Sequence, residues 1–125
     1  MERRAIQPEG LPAPKPPYSP AIVSGDHVYV SGQVPFDAEG RLVSEDFGEQ
    51  AHQTFRNLGR CLEAAGCGFG DVVKVNAFLT DLGDFPVFNE VYGQYFVQPY
   101  PARSTVGVNL LGFKIEVEAV ARLAG

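Results

Sequence analysis

Three charged side chains near the C-terminal end of the sequence have types and spacing suited to binding a small anion. Arg103 lies in the run Pro101-Ala-Arg-Ser-Thr-Val106, and Glu116 and Glu118 alternate along the run that begins at Ile115. An arginine fork binds a carboxylate bidentately, and a nearby carboxyl group can move a proton or hold a water. Because strand residues alternate between faces, Glu116 and Glu118 share one face. The same groups could instead form a cross-strand salt bridge on a solvated surface, so both interpretations stay open at this point.

Other familiar catalytic patterns are missing from the sequence. The only histidines, His27 and His52, stand in no nucleophile or metal motif, and the glycines form no phosphate-binding loop. Cys61 and Cys67 are the only cysteines and have no metal-ligand spacing, so we interpret them as reduced structural thiols. The sequence therefore predicts no metal site and no cofactor.

Composition narrows the class of protein. With 125 residues, of which 45% are hydrophobic, the chain is long enough for one domain with its own core. A formal net charge of -5 disfavours nucleic acid as a partner. The sequence has no apolar signal-peptide core and no apolar stretch of membrane-spanning length, which predicts a cytoplasmic protein without a membrane segment.

The elements that must position these residues are visible as hydrophobic periodicity. A period of two predicts strands, a period of three to four predicts helices, and Ser24-Gly-Asp26 is typical of a tight turn. An aromatic stripe on the second helix is interpreted as core packing. We expect the last two strands to pair as a hairpin, which would bring Arg103 opposite Glu116. The predicted elements are strands at 21–23 and 27–31, a short strand at 41–43, a helix at 47–65, a strand at 71–79, a helix from 84 to about 97, and strands at 103–108 and 114–121.

This order of elements predicts an α+β two-layer sandwich, with a mixed sheet and two helices on one face. Several strands are apolar on both sides, which favours burial of the second sheet face in a homo-oligomer. Five prolines fall between Pro8 and Pro17. Residues 1–16 are therefore interpreted as an extended proline-rich arm, followed by a single domain over residues 17–125.

Seven segments in order resemble the RidA/YjgF family, which also includes proteins described as endoribonuclease L-PSP. The combination is specific, whereas each segment alone would be a weak signal, and the resemblance covers residues 17–122. It implies a chorismate-mutase-like fold and a homotrimer with ligand pockets at the subunit interfaces. The segments are Pro17–Ser19, Val28–Pro35, Asn57–Gly66, Asp71–Lys74, Asp84–Tyr92, Pro101–Val106 and Ile115–Ala121.

The resemblance also implies an activity and roles for individual residues. The family's best-known reaction is hydrolytic deamination of reactive enamines and imines, such as 2-aminoacrylate and other 2-iminoacids, to 2-ketoacids and ammonia. Arg103 matches the carboxylate-binding arginine, Glu116 matches the glutamate that positions water or assists proton transfer, and Glu118 is the second choice. The same resemblance assigns further substrate-binding residues to Tyr18, Ser31, Gly32, Asn89 and Thr105.

The sequence departs from the family pattern in places, and other functions compete with deamination. Lys15–Pro20 lacks the usual glycine and glutamine, and Thr105 stands where deaminases often have cysteine. The alternatives are an endoribonuclease or translation inhibitor, a non-catalytic protein that binds small carboxylates or protects other proteins, and a pathway-specific deaminase resembling aminomuconate deaminase. The acidic charge and the lack of a catalytic histidine pair speak against the nuclease.

Overall fold

The computed structural model describes residues 2–124, so Met1 and Gly125, the outer ends of the predicted arm and domain, lie outside the described residues. Within residues 2–124 the chain forms six strands and two α-helices in a two-layer α+β arrangement. Short 3-10 turns at Phe69–Asp71 and Leu82–Asp84 flank the fourth strand. The elements are β1 Arg3–Ile6, β2 Ala21–Ser24, β3 His27–Gln33, α1 Phe47–Ala64, β4 Val72–Leu79, α2 Phe85–Tyr92, β5 Ala102–Gly107 and β6 Ile115–Arg122.

The six strands form one mixed sheet in the order β1-β2-β3-β6-β4-β5. Neighbours pair antiparallel, except that β5 runs parallel to β4 after the α2 crossover. The predicted hairpin between the last two strands is therefore wrong. Strand β6 has an unbroken apolar face from Ile115 to Ala121 and takes a central position under α1. Strand β5 carries Arg103, its other residues are mostly exposed, and it lies at the edge of the sheet. Burial of β6 outweighs the shortness of the connection between the strands.

Both helices pack on one face of the sheet, as predicted. Helix α1 begins after Asp46, whose side chain accepts a hydrogen bond from the Glu49 N–H at 3.0 Å, and it ends before Gly66, whose φ is 93°. The aromatic stripe of α2 packs on Phe55 of α1, which is fully buried. The interpretation of this stripe as core is confirmed for Phe88, which is also fully buried.

The N-terminal segment is tied to the sheet more firmly than an arm would be. Strand β1 pairs along its whole length with β2, and Ile6 joins the hydrophobic core. The proline-rich stretch that follows lies beside Gly32 and Asn57. Strand β1 therefore forms an edge of the sheet.

Among the described residues, 2–124, no helix covers the second face of the sheet. Tyr29 and Val106 project from it with 48% and 44% of their surfaces exposed. In the cross-strand register Val120 lies beside Tyr29, and Phe78 lies beside Val106. We call this surface the open face. No helix within residues 2–124 is long and apolar enough to span a membrane.

Candidate functional site

Arg103 lies on the helix side of the sheet. It pairs with Val75 of β4, which is fully buried under the helices, and residues paired across a ladder project to the same side. The guanidinium carbon lies 4.7 Å from the ring centroid of Tyr92 and 5.2 Å from that of Phe88. Aromatic faces attract a cation without neutralising its charge. Within residues 2–124 Arg103 forms no ion pair, so its full charge is available to an anion.

A cleft of about 340 Å³ opens beside this guanidinium. It is lined by Arg103, by Asn89 and Tyr92 of α2, and by Tyr100 and Pro101 ahead of β5, together with Gly93. The predicted residues Arg103 and Asn89 are thus brought together. Tyr92 and Tyr100 were not singled out from the sequence, although Tyr92 lies close to one helical turn from Asn89.

Thr105 projects to the same side of β5 as Arg103, because it pairs with the buried Ala77. Its hydroxyl is buried and has no hydrogen-bond partner within the described residues. An unpaired buried hydroxyl is unusual in folded proteins.

Glu116 lies on the open face, beside a bulge in β3. Val30 pairs with Ala119 but Gln33 pairs with Val117, so one extra residue of β3 is accommodated between them. At this bulge the Gly32 backbone contacts the Glu116 carboxylate so closely that a Cβ on Gly32 would overlap it. Burial, and then the negative charge of Glu118, raise the pKa of Glu116.

Glu118 occupies a neighbouring hollow of about 210 Å³ on the open face. Its carboxylate accepts a hydrogen bond from Asn76 Nδ2 at 3.1 Å, and Lys74 and Ser31 line the same hollow. The Ser31 hydroxyl donates to the Ser19 carbonyl oxygen at 2.6 Å. Ser31 Oγ is therefore already committed as a donor.

Tyr18 and Gly32 share a third hollow, of about 310 Å³, between the proline-rich stretch and β3. The Tyr18 side chain is 54% exposed. Asn57 of α1 fixes the loop after β3 by donating hydrogen bonds to the carbonyl oxygens of Val34 and Phe36, both at 2.9 Å. Sequence reasoning gave Asn57 no role, because a buried amide on a helix carries no signal of its own.

The predicted site residues therefore divide into two groups on opposite faces of the sheet. Arg103, Asn89 and Thr105 lie on the helix side, whereas Glu116 and Glu118 lie on the open face. Strand β4 separates β5 from β6, so the strands that carry Arg103 and the two glutamates are about 10 Å apart in the plane of the sheet. The thickness of the sheet adds to this distance. The interpretation of Arg103 and Glu116 as a cross-strand salt bridge is wrong. One chain alone does not bring these residues into one site.

We expect Gly32→Ala to lower turnover without unfolding the protein. The added methyl group would collide with the Glu116 carboxylate. Because that carboxylate is the flexible end of its side chain and can rotate toward solvent, the substitution should displace it rather than unfold the strand. A displacement of about 1 Å in a catalytic group costs on the order of 100-fold in rate. Steady-state kinetics should show the loss in kcat, and thermal unfolding should show a melting temperature near that of wild type. Unchanged kcat would contradict a role for the contact between Gly32 and Glu116.

Neither cysteine lines the cleft or the hollows described above. Both are free, and burial raises the pKa of Cys61 to about 12, which keeps it as an unreactive thiol. Residues 2–124 contain no group of three or more His, Cys, Asp or Glu side chains placed to hold a metal ion.

Comparison with known proteins adds an independent line of observation. Residues 9–123 match the family model described as endoribonuclease L-PSP. The chain is 43% identical over 122 residues to the human 2-iminobutanoate/2-iminopropanoate deaminase, covering 95% of this chain and 89% of the human protein. It also matches the crystal structure of RidA from an Antarctic Psychrobacter with a TM-score of 0.90 and 43% identity, over 96% of this chain and 99% of that one. The crystal structure of Escherichia coli TdcF with bound serine matches with a TM-score of 0.89 and 34% identity, over 97% and 99% of the two chains.

Proposed function

Because the chain belongs to the RidA/YjgF family, described as endoribonuclease L-PSP, we propose that it hydrolyses 2-iminoacids, and the enamines that tautomerise to them, to 2-ketoacids and ammonia. The observation that carries the proposal is the Arg103 guanidinium, which forms no ion pair within residues 2–124 and lies at the wall of a cleft that Tyr92 and Tyr100 also line. The names of the human, bovine, goat and mouse relatives as 2-iminobutanoate/2-iminopropanoate deaminases support it.

Substrate binding depends on Arg103. Every 2-iminoacid carries a carboxylate next to the reacting carbon, and the guanidinium can bind both oxygens of that group. The rings of Phe88 and Tyr92 hold the guanidinium in place before the substrate arrives, which reduces the entropy lost on binding. Asn89 on the cleft wall can hydrogen-bond the imine nitrogen or the attacking water. The cleft therefore orients the substrate by its carboxylate.

The chemical step needs a proton donor and a water, but no protein nucleophile. An enamine takes a proton at its β carbon and becomes an iminium ion; water then adds at C2 and loses a proton, and the resulting carbinolamine, protonated at nitrogen, expels ammonia and gives up its hydroxyl proton to leave the ketoacid. Glu116 has a raised pKa, so it keeps a proton at a higher pH than an ordinary glutamate does. A carboxyl group of this kind can deliver that proton and then accept one from the attacking water.

We propose that the complete site lies between two copies of the chain, in a homotrimer. Arg103 and Glu116 lie on opposite faces of one sheet, so a neighbouring copy must bring its Glu116 to the Arg103 cleft. The exposed apolar side chains of the open face, among them Tyr29 and Val106, support burial of that face against other copies. Bringing copies together buries these side chains and completes the site.

We also propose that the protein works in the cytoplasm. Cys61 and Cys67 are both free in the structure, as is usual in a reducing compartment. The partner is a small carboxylate rather than nucleic acid, since the net charge of -5 would repel phosphates.

The proposal is tested by following a 2-iminoacid generated in the assay. An amino acid oxidase acting on 2-aminobutanoate, with catalase to remove peroxide, supplies 2-iminobutanoate, and its decay is compared with and without the protein. We expect decay faster than the spontaneous rate, unchanged by EDTA. Decay at the spontaneous rate with every apolar 2-iminoacid tried would contradict the proposed function.

A further inference from the structure

The hydroxyl group of Tyr92 is not explained by the packing of its ring. Tyr92 is 6% exposed, and its hydroxyl is buried without a hydrogen-bond partner among residues 2–124. Phe88 and Phe96, one helical turn to either side, pack on Phe55 as Tyr92 does and need no hydroxyl. A buried, unpaired hydroxyl lowers stability relative to phenylalanine at the same position. Packing of the core therefore does not account for the hydroxyl.

The position of Tyr92 relates it to the Arg103 cleft. Its ring is the closest of three to the guanidinium, and it lines the cleft together with Tyr100. Burial raises the pKa of Tyr92 and the nearby phenol of Tyr100 adds to the rise, although the Arg103 cation opposes it. The hydroxyl thus keeps its proton at neutral pH and can act as a donor.

We propose that Tyr92 is a substrate-binding residue whose hydroxyl donates a hydrogen bond to the carboxylate that Arg103 binds. This inference deepens the proposed function and rests on it. The guanidinium approaches from β5 and the hydroxyl from α2, so the carboxylate is held from two directions. A carboxylate held in this way has a fixed orientation. The adjoining C2 carbon of the substrate then faces the attacking water in one direction.

The test compares two variants that each remove one unpaired buried hydroxyl. Tyr92→Phe removes the hydroxyl of a residue that lines the cleft, and Thr54→Val removes the hydroxyl of Thr54, which is fully buried on α1 and does not line the cleft. Calorimetry with 2-oxobutanoate measures binding without turnover. We expect Tyr92→Phe to weaken the Kd by about 10-fold or more, the usual effect of a lost hydrogen bond to a charged group. Thr54→Val should bind as wild type does, and neither variant should lower the melting temperature.

Three results would overturn the inference. Binding of 2-oxobutanoate by Tyr92→Phe at the wild-type Kd would show that the hydroxyl does not contact the ligand. An equal loss of affinity for the uncharged amide 2-oxobutanamide would show that the hydroxyl orders the cleft rather than the carboxylate. A changed oligomer mass of Tyr92→Phe in light scattering would assign the hydroxyl to a subunit contact.

The proposed function can fail separately from this inference. If wild-type protein binds 2-oxobutanoate more tightly than Tyr92→Phe does but leaves 2-iminobutanoate to decay at its spontaneous rate, deamination is excluded. The assignment of Tyr92 to carboxylate binding would stand in that case.

Discussion

Replacing Arg103 with alanine should lower kcat/KM for a carboxylate-bearing imine by roughly 30-fold to several-thousand-fold. The substrate carboxylate then loses its partner Arg103 in the cleft and is left partly desolvated. The fold should survive, because Arg103 contacts aromatic rings on an edge strand and forms no ion pair within residues 2–124. Loss of the cation–π contacts should reduce the free energy of unfolding by no more than about 2 kcal/mol.

Arg103→Lys is the matched control. Lysine keeps the positive charge and the cation–π attraction but loses the planar fork, so activity should recover only in part. Steady-state kinetics and thermal unfolding on both variants give the comparison. If Arg103→Ala had a much lower melting temperature with nearly unchanged turnover, Arg103 would be a structural residue.

Glu116→Gln should abolish most of the turnover while leaving the folded protein at least as stable as wild type at neutral pH. Losing a general acid or base typically costs on the order of 100-fold to 10,000-fold in kcat. The raised pKa of Glu116 means that the folded protein holds this proton more tightly than the unfolded chain does. Ionisation of Glu116 therefore weakens the folded state progressively as pH rises from the ordinary glutamate pKa to the raised one. Glutamine carries no such penalty.

Melting temperatures measured between about pH 4 and about pH 8 test this sign, because they bracket the ordinary glutamate pKa. The stability of Glu116→Gln relative to wild type should increase with pH across the lower part of the range and then level off. Glu118→Gln is the control, since removing that charge should lower the pKa of Glu116 and shift the part of the pH–activity profile that Glu116 controls to lower pH. A Glu116→Gln variant that is less stable than wild type at neutral pH would contradict the desolvated position of Glu116.

Local patterns predicted most of the elements of this fold, because hydrophobic periodicity reports which face of a helix or strand is buried. Helix α1 was predicted at residues 47–65 and is observed at Phe47–Ala64. The pairing of the last two strands could not be read in the same way. Short connections favour hairpins, but here the fully apolar face of β6 required a place between β3 and β4. Such competition between strands is a property of the whole sheet.

The same limit applies to the site. The resemblance named Arg103, which lines the cleft, and Glu116, which lies against Gly32, but their placement on opposite faces depends on the register through β4. The contact between Gly32 and Glu116 depends on a bulge that spacing alone does not reveal. The sequence did not distinguish Tyr92 from the other residues of the aromatic stripe, because core residues and cleft residues on one helix have the same spacing.

The central claim is that Arg103 of one copy works with Glu116 of another, and mixing two inactive variants tests it most directly. Arg103→Ala and Glu116→Gln chains are refolded together so that mixed oligomers form, and their turnover is compared with each variant alone. Random mixing should give about a quarter of the sites an intact Arg103 from one chain and an intact Glu116 from its neighbour, and activity should return to about a quarter of wild type. Mixed oligomers that stay as inactive as either variant alone would contradict a site shared between copies.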